Sequence, residues 1–177
     1  MKALLLSLLL LVAPQDGHGL LDKALWGCKD LERLEQVEAL LDKYRVRSKL
    51  PLRCPLKDAY RVSSPYGSRV HPITGRRRFH AGVDLAVEVA TPVYATADGT
   101  VAFAGRKGGY GRCIVLEHDY GFSTLYGHLI AYYVRQDDVV RAGQPIGFVG
   151  STGRSTGNHL HYETRKDNRP IKPYWSL

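Results

Sequence analysis

Two histidines stand two residues apart in Gly157-Asn158-His159-Leu160-His161-Tyr162-Glu163. Successive side chains of an extended strand alternate between faces, so His159 and His161 point the same way with backbones roughly 6–7 Å apart. Imidazoles on one face can share a metal ion, or one can bind the ion while the other handles the proton of a reacting water. The competing role for such a ring is burial with a hydrogen bond to a carbonyl. A second constellation lies in Phe79-His80-Ala81-Gly82-Val83-Asp84-Leu85. His80 and Asp84 also share a parity, but fully extended they stand roughly 13 Å apart, too far for bonds near 2 Å to one ion. Gly82 lies between them and is expected to supply the bend or bulge that closes the gap. His80, Asp84 and His161 would then offer nitrogen, oxygen and nitrogen with a fourth position open, the donor set of a catalytic zinc. His128 ends the aromatic run Thr124-Leu125-Tyr126-Gly127-His128-Leu129, beside a glycine that suits a cleft. His71 precedes Pro72, His118 abuts Asp119 and His18 lies in the N-terminal apolar region, and none has comparable company.

Strands must position these groups. Eighteen glycines and nine prolines, mostly after residue 50, call for many turns and a β-rich body. Strands are expected at Ala59–Ser63, Thr91–Ala97, Gly99–Ala104, Arg112–His118, Gly121–Leu129, Asp138–Val140, Pro145–Val149 and Asn158–Arg165, separated by turns such as Asp98-Gly99 and Gly108-Gly109. Short strands with regular turns predict an all-β core: a compact antiparallel sandwich or partly open barrel. Before it, Leu31, Leu34, Val37, Leu41 and Tyr44 recur at steps of three and four, predicting one amphipathic helix over 28–47 with Asp30 as its cap. That helix serves as packing or as a lid. Prolines at 51 and 55 mark a linker, so the expected division is 20–56 for helix and linker and 57–177 for the main domain.

Residues 1–19 read as an export signal: Lys2, an apolar run from Ala3 to Ala13, and Gly17-His18-Gly19 before a cleavage point at Leu20. Eleven apolar residues cannot span a bilayer, which needs about twenty, and no other segment is a candidate span. Export as a periplasmic or secreted protein follows. In that compartment Cys28 and Cys54 could form a disulfide, while Cys113, inside Cys113-Ile114-Val115-Leu116, suits the core. The net charge of +8 suits acidic partners: nucleic acid, anionic lipid or bacterial cell wall.

The sequence resembles the lysostaphin/LytM-type zinc endopeptidases, which cut peptide cross-bridges of bacterial peptidoglycan. The resemblance rests on Ser64-Pro65-Tyr66-Gly67-Ser68-Arg69, His71-Pro72-Ile73-Thr74-Gly75, His80-Ala81-Gly82-Val83-Asp84, Ala95-Thr96-Ala97-Asp98-Gly99-Thr100-Val101, Tyr126-Gly127-His128-Leu129, Gly150-Ser151-Thr152-Gly153 and His159-Leu160-His161-Tyr162-Glu163, in family order from about residue 60 to 173. It departs mildly at Ala90, where a glycine is usual, and at Asp119-Tyr120-Gly121. The resemblance implies one zinc ion on His80, Asp84 and His161, His128 and His159 as the catalytic pair, and a groove walled by loops. It implies peptidoglycan stems and cross-bridges as the substrate.

Three alternatives compete. Gly153-Arg154-Ser155-Thr156-Gly157 matches the serine-hydrolase pattern, but that motif needs a strand–turn–helix and a strand follows here. A non-catalytic wall-binding activator with the same fold would usually have lost site residues. A nucleic-acid binder would show aromatics interleaved with basic residues, and only Arg76-Arg77-Arg78-Phe79 approaches this; it reads better as a charged hairpin tip beside the groove.

Overall fold

The strand pattern is realised, with the chain folded into antiparallel sheets whose central member carries the paired histidines. The structure is a computed structural model and describes residues 17–32, 38–70 and 77–175. Its strands are β1 (Arg61–Ser64), β2 (Gly67–Val70), β3 (Arg77–His80), β4 (Val83–Ala86), β5 (Pro92–Tyr94), β6 (Gly99–Arg106), β7 (Arg112–Glu117), β8 (Phe122–Leu129), β9 (Ala131–Tyr132), β10 (Val139–Val140), β11 (Pro145–Phe148), β12 (His159–Lys166) and β13 (Arg169–Ile171). The main sheet runs β1-β4-β12-β8-β7-β6-β10, with β13 also on β12; β5-β11-β9 form a second sheet and β2-β3 a hairpin. The fold is mostly β, as expected, without a closed barrel.

Alternation along β12 sets its two faces. Leu160 and Tyr162 enter the core beside Leu85, Ile114, Leu116 and Tyr126, all fully buried. The two buried phenols are satisfied by one threonine: Tyr126 Oη accepts from the Thr96 amide at 3.0 Å, and Tyr162 Oη donates to Thr96 Oγ1 at 3.0 Å. His159, His161 and Glu163 therefore take the opposite face.

A second apolar cluster joins Leu21, Leu25, Leu31, Leu41, Val46, Leu50 and Leu52 to Tyr120 and Phe122 of the main domain. It seats helices α1 (Gly17–Gly27) and α2 (Glu38–Lys43). The helix expected over 28–47 is shorter at both ends: residues 28–30 are not helical, and α2 stops at Lys43, with a turn at residues 44–45 before a separate 3-10 turn at Arg47–Lys49. Asp30 Oδ1 accepts from the Glu32 amide at 3.2 Å, ahead of a 3-10 segment at residues 31–32; residues 33–37 lie outside the described residues. Helix α1 was not predicted. It crosses the expected cleavage point before Leu20, but its buried leucines, Leu21 and Leu25, lie beyond that point. Residues 1–16 of the expected export signal lie outside the described residues, as does His71. No helix among the described residues is long and apolar enough to cross a membrane.

The Cys28–Cys54 bridge is not formed. Cys28 Sγ donates to the Asp30 carbonyl at 3.2 Å and packs with the second cluster, while Cys54 Sγ donates to Tyr60 Oη at 3.6 Å beside the first. The two thiols belong to different cores. Cys113 is buried, as expected.

Candidate metal and catalytic site

Sheet register brings the two sequence constellations together. On β12, His161 lies opposite Asp84 of β4 on one side and Gly127 of β8 on the other. His80 reaches the same point because β3 and β4 belong to different sheets. The chain turns at Ala81-Gly82 between them, so the 13 Å of an extended run is never spanned. Gly82 has a reason the sequence did not reveal. A Cβ there would stand 2.3 Å from the Tyr162 carbonyl oxygen and 2.8 Å from Glu163 Cγ. The residue is small because β12 passes against it, and no left-handed backbone is involved.

The donor atoms converge. Asp84 Oδ1 lies 2.8 Å from His161 Nδ1 and 3.2 Å from His80 Nε2, and the two imidazole nitrogens are 3.2 Å apart. A tetrahedral ion with bonds of about 2.0–2.1 Å holds its ligand atoms about 3.3–3.4 Å apart. The three groups fit a divalent cation after small outward shifts. His80 and His161 are buried, so this is not a chance meeting of surface charges.

Each imidazole is anchored through its other nitrogen. His80 Nδ1 donates to the Pro65 carbonyl at 2.9 Å, and His161 Nε2 donates to Glu163 Oε1 at 2.9 Å. His128 Nδ1 donates to the Thr152 carbonyl at 2.7 Å, and His159 Nδ1 to the Gly157 carbonyl at 2.8 Å. A carbonyl can only accept, so these contacts place the proton on Nδ1 of His80, His128 and His159. His161 has a carboxylate at each nitrogen, Glu163 at Nε2 and Asp84 at Nδ1, which fix the orientation of its ring. What remains turned inward is Nε2 of His80, His128 and His159 and Nδ1 of His161. The His128 and His159 rings lie 4.6 Å apart by centroid, and His159 Nε2 stands 3.7 Å from Asp84 Oδ1. The five residues predicted for the site thus form one cluster.

His128 holds its place at a backbone cost. Its φ is +61°, in the left-handed region, although it is not glycine. Such strain persists only where surroundings enforce it. Here the His128 carbonyl accepts from the Thr152 amide at 3.3 Å while its ring grips the Thr152 carbonyl.

Glu163, Tyr110 and Arg165 had no predicted role. Glu163 is fully buried and takes four hydrogen bonds: from His161, from Tyr110 Oη at 2.8 Å, and from Arg165 Nε and Nη2 at 2.8 and 2.6 Å. Shared parity with His161 could have flagged Glu163; no local pattern pointed to Tyr110, which sits in a glycine-rich turn.

Electrostatics follow from this packing. Burial alone would raise the Asp84 pKa, but hydrogen bonds from His161 and His80 outweigh it and hold the carboxyl well below the usual range. Burial likewise works against an ionised Glu163, yet His161, Tyr110 and Arg165 bring it down to about 2. The His161 pKa is raised: burial opposes its charge, and the flanking carboxylates of Asp84 and Glu163 prevail. Burial pushes His128 below the ordinary imidazole value, only partly countered by the Thr152 carbonyl.

Other candidates lie elsewhere. His118 is engaged at both nitrogens, with the Asp98 carbonyl and Thr124 Oγ1, each at 2.8 Å. Ser155 of the serine-hydrolase pattern lies in a loop before β12, and its hydroxyl donates to the Gly157 carbonyl at 2.7 Å. The strand–turn–helix that motif needs is missing there.

Residues 78–173 match peptidase family M23. The DD-carboxypeptidase/endopeptidase Mpg of Neisseria meningitidis serogroup B is 54% identical over 113 residues, covering 64% of this chain and 26% of that protein. The peptidoglycan DD-endopeptidase ShyB of Vibrio cholerae is 40% identical over 121 residues, 67% of this chain and 28% of that protein. The crystal structure of a zinc-containing peptidase from Vibrio cholerae superposes with a TM-score of 0.67 at 38% identity, over 71% of this chain and 40% of that one. The chain thus spans about a quarter of the length of the curated relatives it matches. Since the matched segment takes in more than half of the sequence, including all five clustered site residues, the chain belongs to peptidase family M23.

Proposed function

We propose that this chain is an exported zinc-dependent endopeptidase that hydrolyses D,D-peptide cross-links of bacterial peptidoglycan. His80, Asp84 and His161 hold one zinc ion, His128 and His159 handle protons, residues 57–177 form the catalytic domain and residues 1–19 direct export. One observation carries the reading: three donor atoms within 3.2 Å of one another, with two further imidazoles turned towards the same point. The peptidoglycan and D,D assignment is supported by the names of Mpg and ShyB, and zinc by that of the Vibrio peptidase.

Zinc, when bound, polarises a scissile carbonyl and makes water acidic enough to supply a nucleophile near neutral pH. The chain does the rest. The anchored Nδ1–H groups of His128 and His159 leave both Nε2 atoms free to accept a proton from water and return one to the departing amine. Burial keeps His128 neutral, the form a proton acceptor requires. Glu163 holds the His161 ring through Nε2–H, so that Nδ1, beside Asp84 Oδ1, is the nitrogen that would bind the ion.

Digestion of purified sacculi with and without chelator, followed by mass spectrometry of released fragments, tests the reading. The expected result is new amino termini at D,D-cross-links that vanish with chelator and return with zinc. Binding to sacculi with no released fragment would overturn it in favour of a wall-binding protein.

A further inference from the structure

The β2–β3 hairpin runs directly into the site, and one of its faces is cationic. Its register pairs Gly67 with His80, Ser68 with Phe79, Arg69 with Arg78 and Val70 with Arg77. Directly opposed residues share a face, as do residues two apart. Arg69 and Arg78 therefore lie on the face that carries His80, whose ring joins the donor atoms of Asp84 and His161. Phe79 and Arg77 take the other face, where Phe79 packs edge-on against Tyr66 with centroids 5.2 Å apart. Two guanidinium-bearing residues directly opposite each other repel, a pairing that is destabilising by itself. Both are exposed, and among the described residues no carboxylate pairs with either. Residues 71–76 contain no Asp or Glu that could do so.

We propose that Arg69 and Arg78 form a subsite for a free carboxylate of the bound peptide. Planar guanidinium groups take carboxylates in paired hydrogen bonds, and a bridging anion removes the repulsion between them. The backbone of Arg78 lies about 7 Å from that of His80, two residues along an extended strand. The subsite therefore lies within about two residues of substrate from the donor atoms of His80, Asp84 and His161. Its ligand is a carboxylate that takes no part in the bond being cut. This rests on the peptidase reading for its substrate, though its geometry belongs to the hairpin alone.

The test uses a soluble stem-peptide dimer from peptidoglycan and the same dimer with its carboxylates amidated. KM and kcat are measured on the zinc-loaded full chain, and affinity by calorimetry on the chain held metal-free by chelator, where nothing is hydrolysed. The parent should prefer the free-carboxylate dimer by at least about tenfold, expressed in KM and in affinity, with kcat little changed. Arg69→Gln with Arg78→Gln should cut the preference to within about threefold, each single change giving part of the loss. Arg77→Gln removes the same charge from the opposite face and should leave the preference intact. An indifferent parent, a double variant that still discriminates, or an Arg77→Gln loss as large as the pair's would each overturn the subsite. Arginine-dependent binding without cleavage of any dimer would uphold the subsite and overturn the peptidase reading; cleavage without carboxylate preference would do the reverse.

Discussion

Replacing Glu163 by alanine should damage metal binding and folding by separable amounts. The carboxylate is fully buried and accepts from His161 Nε2, Tyr110 Oη and two nitrogens of Arg165. Its removal frees His161 to rotate or change tautomer, and loss of such a partner to a metal-ligating histidine lowers metal affinity by about 10–100-fold, or about 1.4–2.7 kcal/mol. Removing one partner of a buried ion pair costs about 3–5 kcal/mol. The Arg165 side chain is 24% exposed, so water recovers part of this, leaving about 2–3 kcal/mol. At roughly 2–4 °C per kcal/mol, the metal-free protein should melt about 5–10 °C lower. Glu163→Gln keeps the volume and one acceptor, so its zinc affinity should lie nearer the parent's while the arginine pair is still lost. Zinc affinity would be read by competition with a chromophoric chelator, and stability by thermal unfolding in excess chelator. A folded Glu163→Ala protein that binds zinc as the parent does would refute the claim that this carboxylate sets the ligand.

His159→Ala and His128→Ala should each retain zinc while turnover falls by about 10²–10⁴-fold; near-parental turnover would remove that residue from proton transfer. Gly82→Ala forces a Cβ to within 2.3 Å of the Tyr162 carbonyl oxygen. It should lose about 1–3 kcal/mol of stability and weaken zinc binding, because β4 must move away from β12, as denaturant titration and chelator competition would detect. Burial lowers the His118 pKa to about 4 from an ordinary 6.5. Below pH 6.5 the unfolded chain takes up a proton that the folded chain refuses, so stability is full above that value and falls as pH drops towards 4. The loss reaches about 3 kcal/mol at the acid end. His118→Gln should flatten this slope in unfolding measured from pH 7 to 4, and an unchanged slope would place the acid sensitivity elsewhere.

Much of the site was legible because strand parity is a local property. His159 and His161 share a face wherever their strand lies, and the turn signals around Asp98-Gly99 and Gly108-Gly109 delimited β6 and β7 nearly as found. What parity could not supply was the partner on the neighbouring strand. The pairing of Asp84 with His161, the change of sheet between His80 and Val83, and the burial of Glu163 depend on which strands lie side by side. The same holds for the two thiols: spacing allowed Cys28 and Cys54 to meet, whereas packing put them in different cores. Composition and periodicity determined an antiparallel β body and the residue types able to grip a cation. Only the tertiary structure decided which nitrogen of each imidazole faces inward, because that depends on carbonyls and carboxylates contributed by remote segments.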